Sequence, residues 1–227
     1  MHIRRLFALI ARTPPWGWLL LPLAGLVVLG AALLYQGTFW SSDGVAGAGT
    51  GPAAVPMQFG EAEAVRGAEV LMLRLASRTV SGKFASGYGG SDVRNVLLVV
   101  GRDAAAHWLF KGHQNLVRKL EQLSGDPNDP QDGDTAALYV EYVSADTDGD
   151  QRLTFSDRFN VALAAPDGTR LQVLLTDVQQ VFSRTVLDDD ELAVVYQKAG
   201  SVRHTRFAFP SGKLLADKVV APVPQAL

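Results

Sequence analysis

Between residues 16 and 35 the chain reads WGWLLLPLAGLVVLGAALLY, an unbroken run without a charge. At 1.5 Å rise per residue, about 20 apolar residues span the roughly 30 Å hydrocarbon core of a bilayer. No other feature constrains the chain as strongly, because a segment of this kind is expected to be a membrane helix. Arg4, Arg5 and Arg12 precede the run, and the first acidic residue is Asp43. That asymmetry predicts residues 1–15 in the cytoplasm, an anchor over residues 16–40, and everything later on the far side of the membrane. Trp16, Trp18, Tyr35 and Trp40 flank the span where an interfacial aromatic belt belongs. A cleaved signal peptide is the competing reading, but its apolar region is shorter, roughly 7–15 residues, and ends in small residues. Here Leu33, Leu34 and Tyr35 crowd the end of the run.

Residues 41–60, SSDGVAGAGTGPAAVPMQFG, have no apolar period and read as a flexible tether. Residues 61–227 then form one domain of ordinary size. The chain has no cysteine, which excludes disulfides, thiolate metal sites and a cysteine nucleophile. Of its 21 basic residues, three precede the run, which leaves 18 against 23 acidic residues beyond it. A mildly acidic domain lacks the basic footprint that nucleic-acid binding needs.

Short runs rich in β-branched and aromatic residues, bounded by turn residues, predict strands over residues 69–75, 95–100, 107–110, 137–143, 159–163, 171–175, 192–196 and 206–209. Pro166-Asp167-Gly168 and Pro210-Ser211-Gly212 are tight-turn signals. Glycine-rich residues 81–90 read as a hairpin loop, and residues 124–135, SGDPNDPQDGDT, as an exposed loop. Residues 113–123, HQNLVRKLEQL, carry Leu116, Leu120 and Leu123 at helical spacing. They predict either a helix or a strand followed by one helical turn.

Three segments repeat a pattern of strand, turn and strand: NVLLVVGRDAAAHWLF, NVALAAPDGTRLQVLL and TRFAFPSGKLLADKVV. Each follows an outlying strand. Units of this size with several strands suggest propeller-type blades, and three are too few to close a propeller of 4–8 blades. The expected fold is therefore mainly β: an N-terminal transmembrane helix, then an antiparallel domain resembling an incomplete, roughly three-bladed propeller. A single continuous meander is the alternative. Open sheets of this kind would leave edges for a protein partner or a second copy to cover.

One segment carries recognisable chemistry. Residues 146–157 read DTDGDQRLTFSD, with Asp146, Asp148 and Asp150 alternating at the first, third and fifth positions. This resembles a calcium loop of the EF-hand or dockerin type, over 12 of the 227 residues. The resemblance implies that Arg152 offers its carbonyl at the seventh position, Thr154 a ligand at the ninth and Asp157 a carboxylate at the twelfth. The spacing matters because calcium takes 6–8 oxygens at 2.3–2.6 Å, and a tightly coiled loop can converge that many from one segment. Two departures stand out. Gln151 occupies the sixth position, where the family has glycine, and Asp157 is shorter than the usual glutamate. The flanks, VEYV and FNVAL, are strand-like. That context is closer to calcium loops between strands of integrin-type propellers.

No catalytic or organic-cofactor-binding set emerges. His107 and His113 are six apart, outside the i, i+4 spacing of a helical zinc pair, and no GxSxG elbow occurs. The layout resembles single-anchor proteins of the bacterial inner membrane with a periplasmic β domain. The expectation is a non-enzymatic binding or scaffold module of the envelope, with calcium as a stabilising ion and the membrane and a protein as partners. A calcium-responsive sensor is the alternative, followed by an envelope hydrolase whose site the sequence does not reveal.

Overall fold

The computed structural model describes residues 56–77, 92–188 and 190–224. Among them no helix is long and apolar enough to cross a membrane. The anchor read at residues 16–40, most of the tether, and the loop at residues 81–90 lie outside the described residues.

The described chain is all β. Twelve strands run in order: β1 (Met57–Ala64), β2 (Val70–Ser77), β3 (Asp92–Val100), β4 (Ala105–Trp108), β5 (Leu116–Ser124), β6 (Thr135–Val143), β7 (Phe159–Ala164), β8 (Gln172–Val178), β9 (Gln180–Leu187), β10 (Glu191–Lys198), β11 (Ser201–Ala208) and β12 (Lys213–Pro222). They form three antiparallel four-stranded sheets, each a meander of consecutive strands: β1 to β4, β5 to β8, and β9 to β12. All eight strands expected from the sequence are present, and β12 is the second arm of the third repeated hairpin. The repeat lacked one strand per unit. Each sheet opens with a strand (β1, β5 or β9) that the pattern did not contain.

Two corrections follow. Residues 113–123 form no helix, because β5 runs over Leu116–Ser124 and pairs antiparallel with β6 from Leu116↔Val143 to Ser124↔Thr135. The leucine spacing fits a helix, but β5 turns Leu116 and Leu123 to one face and Val117 and Leu120 to the other, and the strand alternation wins. The tether is also shorter than expected, since β1 starts at Met57 and pairs with β2.

The sheets stack. One cluster joins Val70, Met72, Val96 and Leu98 of the first sheet to Val117, Leu138, Val140 and Ala162 of the second. Another joins Tyr139, Val143, Phe159 and Val161 of the second sheet to Leu192, Val194 and Phe207 of the third. The middle sheet is thus covered on both faces, which is why β6 has successive residues, Leu138, Tyr139 and Val140, at 0% exposure. Fully burying each such large side chain contributes about 1.5–3 kcal/mol.

Hydrogen-bonding side chains fasten the first sheet to the second and to the crossover between them. Gln122 on β5 accepts from the Arg66 amide at 2.8 Å and from the Thr135 hydroxyl at 2.8 Å, and donates to Glu63 and the Ala64 carbonyl at 3.0 Å. Asn95 on β3, fully buried, holds the crossover from β4 to β5. It donates to the carbonyls of Phe110 at 2.9 Å and Gly112 at 3.0 Å, and accepts from the amides of Val96 at 2.8 Å and Phe110 at 3.1 Å.

The Pro166-Asp167-Gly168 turn also bears on the packing. Gly168 has φ +79°, and a Cβ built there would stand 2.5 Å from Cδ1 of Leu98, which is fully buried. Gly168→Ala is therefore expected to destabilise the fold by about 2–3 kcal/mol, from left-handed strain and overpacking combined. Thermal unfolding beside the parent protein measures it.

Candidate metal centre

The aspartate-rich segment is the connection from β6 to β7, in the sheet that both others pack against. It starts where β6 leaves the core at Val143 and ends where Phe159, 1% exposed, enters it again. Its two ends are therefore fixed by strand pairing and core packing.

The loop coils through its own carboxylates. Asp146 accepts from the amides of Gly149 and Gln151, both at 2.7 Å. Asp148 accepts from the Asp150 amide at 3.2 Å, and Asp150 from the Arg152 amide at 2.8 Å. Asp157, 2% exposed, closes the coil. Its Oδ1 accepts from the amide and hydroxyl of Thr147 at 2.6 and 3.0 Å, and its Oδ2 from the Thr154 amide at 2.8 Å. Side chains of this type compete with regular structure by capturing nearby amides. Here that competition winds the segment into a compact turn. Gln151 has φ 65°, so it adopts the left-handed conformation that glycine gives at the sixth position of a calcium loop. Gly149 also has positive φ, 81°.

The winding brings one carboxylate oxygen each from Asp146, Asp148 and Asp157 within 4.8 Å of one another. Those three could hold a metal ion. Of the four expected carboxylate ligands, Asp150 alone is not in this group. Asp150 caps the Arg152 amide, and the Thr154 hydroxyl accepts from the Ser156 amide at 3.2 Å.

Electrostatics separates the three carboxylates. The backbone amides of Thr147 and Thr154 hold Asp157 below the usual aspartate range. The Asp150 amide pulls Asp148 down, but desolvation and repulsion from Asp150, Asp157 and Asp146 outweigh it and leave Asp148 raised. Crowded carboxylates of this kind gain most from a cation, which removes the repulsion at its source.

Sequence reasoning missed two supports. Thr147 holds Asp157 in place and also accepts from the Arg158 amide at 2.8 Å. Arg118 on β5 donates to the Phe155 carbonyl, and its guanidinium lies 5.6 Å from the Phe155 ring centroid and 4.4 Å from that of Phe159. An arginine in an edge strand gives no local signal of such a partner, because the contact spans 37 residues.

Other polar groups are committed elsewhere. A cleft beside β1 is lined by Gln58, Glu61, Glu63 and Arg74, and its Glu63 is bound by Arg74 at 2.7 Å and by Gln122. Between the second and third sheets the Tyr139 hydroxyl donates to buried Glu141 at 2.9 Å, while Arg184 pairs with Glu121 and lies over the Tyr139 ring. Burial, then the charge of Glu141, push the Tyr139 phenol upward, so it acts as a donor at any ordinary pH. His113 stands 3.1 Å from the Asn95 amide and edge-on to Trp108.

No family model matches the chain, and no curated protein does. Among solved structures, one it resembles is a luciferin-regenerating enzyme, at TM-score 0.35 and 7% identity. The alignment covers 71% of this chain and 60% of that one, so it spans less than two thirds of that enzyme. A likeness at that level supports no statement about fold or chemistry.

Proposed function

We propose that this protein is a membrane-anchored scaffold module of the cell envelope, with a calcium-stabilised β domain standing outside the cytoplasm. Its three stacked meanders act as blade-like units of an open propeller fragment, and the module works by binding rather than catalysis. The observation that carries the reading is the convergence of Asp146, Asp148 and Asp157 in the middle sheet's β6–β7 connection. An ion there would cross-brace the two strands packed against both neighbouring sheets. The Thr154 and Arg152 positions complete the ligand set in this reading, with water, while Asp150 caps the Arg152 amide. The uncharged run at residues 16–35, with arginines only before it, supports the anchor and its orientation.

The test is calorimetric titration of chelator-treated full chain with calcium at neutral pH, alongside thermal unfolding. Binding in the range of extracellular modules, about 10⁻⁴–10⁻³ M, with a raised melting temperature is the expected result. Absence of both heat and a thermal shift at 10-fold higher calcium, about 10 mM, would sink the calcium reading.

The same titration at falling pH carries a second expectation. Asp148 is raised, so its proton returns above the ordinary aspartate value of about 3.9, and calcium affinity starts to fall there. Asp157 is depressed, so it stays charged through that window. In metal-free protein the two act oppositely. The Asp148 contribution is present at low pH and lost as pH rises through its folded value. The Asp157 contribution is present above about 3.9 and lost as pH falls through its own lower value.

A further inference from the structure

We propose that His107 and Asp167 form a pH-sensitive clasp between the first and second sheets. Protonation of the imidazole gives its buried Nε2 a hydrogen to donate, and the β7–β8 turn supplies the carboxylate that receives it. Alone among the buried side-chain nitrogens and oxygens of the described residues, Nε2 of His107 has no hydrogen-bond partner. Such an atom calls for a cause, because buried polar groups are almost always paired.

The register fixes where the ring lies. His107 on β4 pairs directly with Leu98 on β3, so the two side chains share the face that packs on the second sheet. The Pro166-Asp167-Gly168 turn runs over that face, with Gly168 so close that a Cβ there would stand 2.5 Å from Cδ1 of Leu98. Asp167, next to Gly168 in the chain, is therefore the acid that the second sheet brings toward His107. Its Oδ1 accepts from the Thr169 amide at 2.9 Å and from the Thr169 hydroxyl at 2.6 Å, which leaves Oδ2 open among the described residues. Desolvation works against the Asp167 charge. The Thr169 hydroxyl and amide, then the charges of His107 and Arg170, outweigh it and hold the carboxyl below the usual aspartate range. Asp167 thus stays an anion through the interval in which histidines titrate, about pH 5–8. Arg170 is the other charged group of that turn. On β3 the same face carries Val96, Leu98 and Val100, and the remaining charged residues of this end of the first sheet, Glu69, Arg102, Asp103 and Lys111, are exposed.

A neutral ring leaves Nε2 unpaired between two apolar surfaces, at a cost to stability. An imidazolium turns the same atom into the donor of a charge-assisted hydrogen bond. A histidine that gains such a partner contributes stability in mild acid, and that contribution is lost as pH rises through its titration. The clasp therefore grips the first sheet to the second more tightly in acid. It lies at the end of β7 opposite the aspartate-rich loop, so it works with or without calcium.

The test melts the full chain in chelator at about pH 5.5 and about pH 8, on either side of an ordinary histidine titration. The variants are His107→Gln, which keeps a hydrogen-bonding side chain that does not titrate, Asp167→Asn, which keeps the acceptor for Thr169, and the double substitution. Asp167→Asn is expected to lower the melting temperature by at least about 2 °C more at the acid pH than at the alkaline one. That extra loss vanishes in the His107→Gln background and persists in His204→Gln, a control on the third sheet. Equal losses at the two pH values overturn the clasp, because the contact is then simple packing. An extra acid loss that survives His107→Gln also overturns it, because another group then carries the pH dependence. Where His107→Gln fails to fold, His107→Asn takes its place, and absence of the extra acid loss in Asp167→Asn alone is already enough to overturn the proposal.

Discussion

Asn95→Leu is expected to destabilise the β domain by about 4 kcal/mol. The side chain is fully buried on β3 and serves four backbone groups: the amides of Val96 and Phe110 and the carbonyls of Phe110 and Gly112. Leucine has the same branched four-heavy-atom shape and is apolar, so the change removes the polar function without opening a cavity. Removing the partner of a buried donor or acceptor costs about 1–3 kcal/mol for each group left without water. The exposed side of Gly112 can recover a water, so the total stays below the sum of four such penalties. The consequence is also local. Phe110, 6% exposed, packs on Tyr142 at 4.8 Å between ring centroids, and this contact docks the β4–β5 crossover onto the second sheet. Urea unfolding of the full chain, followed by far-ultraviolet circular dichroism, should show the midpoint lowered by about 2 M for a slope near 2 kcal/mol/M. A shift below about 1 kcal/mol would mean that water replaces the amide and that the crossover is not held by Asn95.

The strands that the sequence hid at the start of each sheet are all edges, whereas six of the eight it announced lie inside their sheets, β4 and β8 being announced edge strands. β2, β3, β6, β7, β10 and β11 are interior to their sheets, and their runs of valine, leucine and aromatic residues reflect burial on at least one face. β1, β5 and β9 are edge strands that open their sheets. β1, MQFGEAEA, is exposed at nearly every position, and β9, QVFSRTVL, alternates without a continuous apolar side. An edge strand gains its structure from pairing on one side only, so its composition need not look like a strand. β5 shows the same effect in reverse, since its Lys119 and Glu121 serve ion pairs at the sheet edge while its leucines mimic a helical period. The repeat was therefore legible as three strands per unit, and the fourth required the register. Asn95 reads in the sequence as an ordinary strand start. Only the crossover that returns to it, 15 residues later, gives it a role.

The aspartate-rich loop was legible to a different depth. Alternation of Asp146, Asp148 and Asp150 suggests a ligand ladder, yet the fold converges Asp146 and Asp148 with Asp157 and leaves Asp150 to cap a turn. Spacing alone does not separate a carboxylate that faces the centre of a coil from one that faces along it. The sixth-position departure looked like a defect in the sequence, but Gln151 takes up the left-handed turn at φ 65°. The strain of about 1–2 kcal/mol that this entails is carried by the surrounding Asp146 and Asp157 hydrogen bonds.

Asp157→Asn should therefore have the largest effect on calcium binding of any single change in the loop. Asp157 alone of the three is buried, and it anchors both limbs, holding Thr147 through one oxygen and Thr154 through the other. An amide keeps one acceptor and turns a donor toward the other amide, so one limb is released whichever way the side chain sits. The charge that faces the cation is lost in the same step. The calcium heat and the calcium-induced rise in melting temperature should both disappear, and the metal-free protein should melt lower than its parent. Asp150→Asn is the discriminating partner. Its carboxylate lies outside the converging three and accepts only the Arg152 amide, so affinity should fall by no more than about tenfold, with the thermal rise retained. Gln151→Gly runs in the opposite direction. It relieves the left-handed strain, so it should raise the metal-free melting temperature and tighten calcium binding several-fold. Equal loss from Asp150→Asn and Asp157→Asn would show that calcium draws on the alternating ladder rather than on the three converging oxygens. Calcium binding that survives Asp157→Asn would move the ion out of this coil altogether.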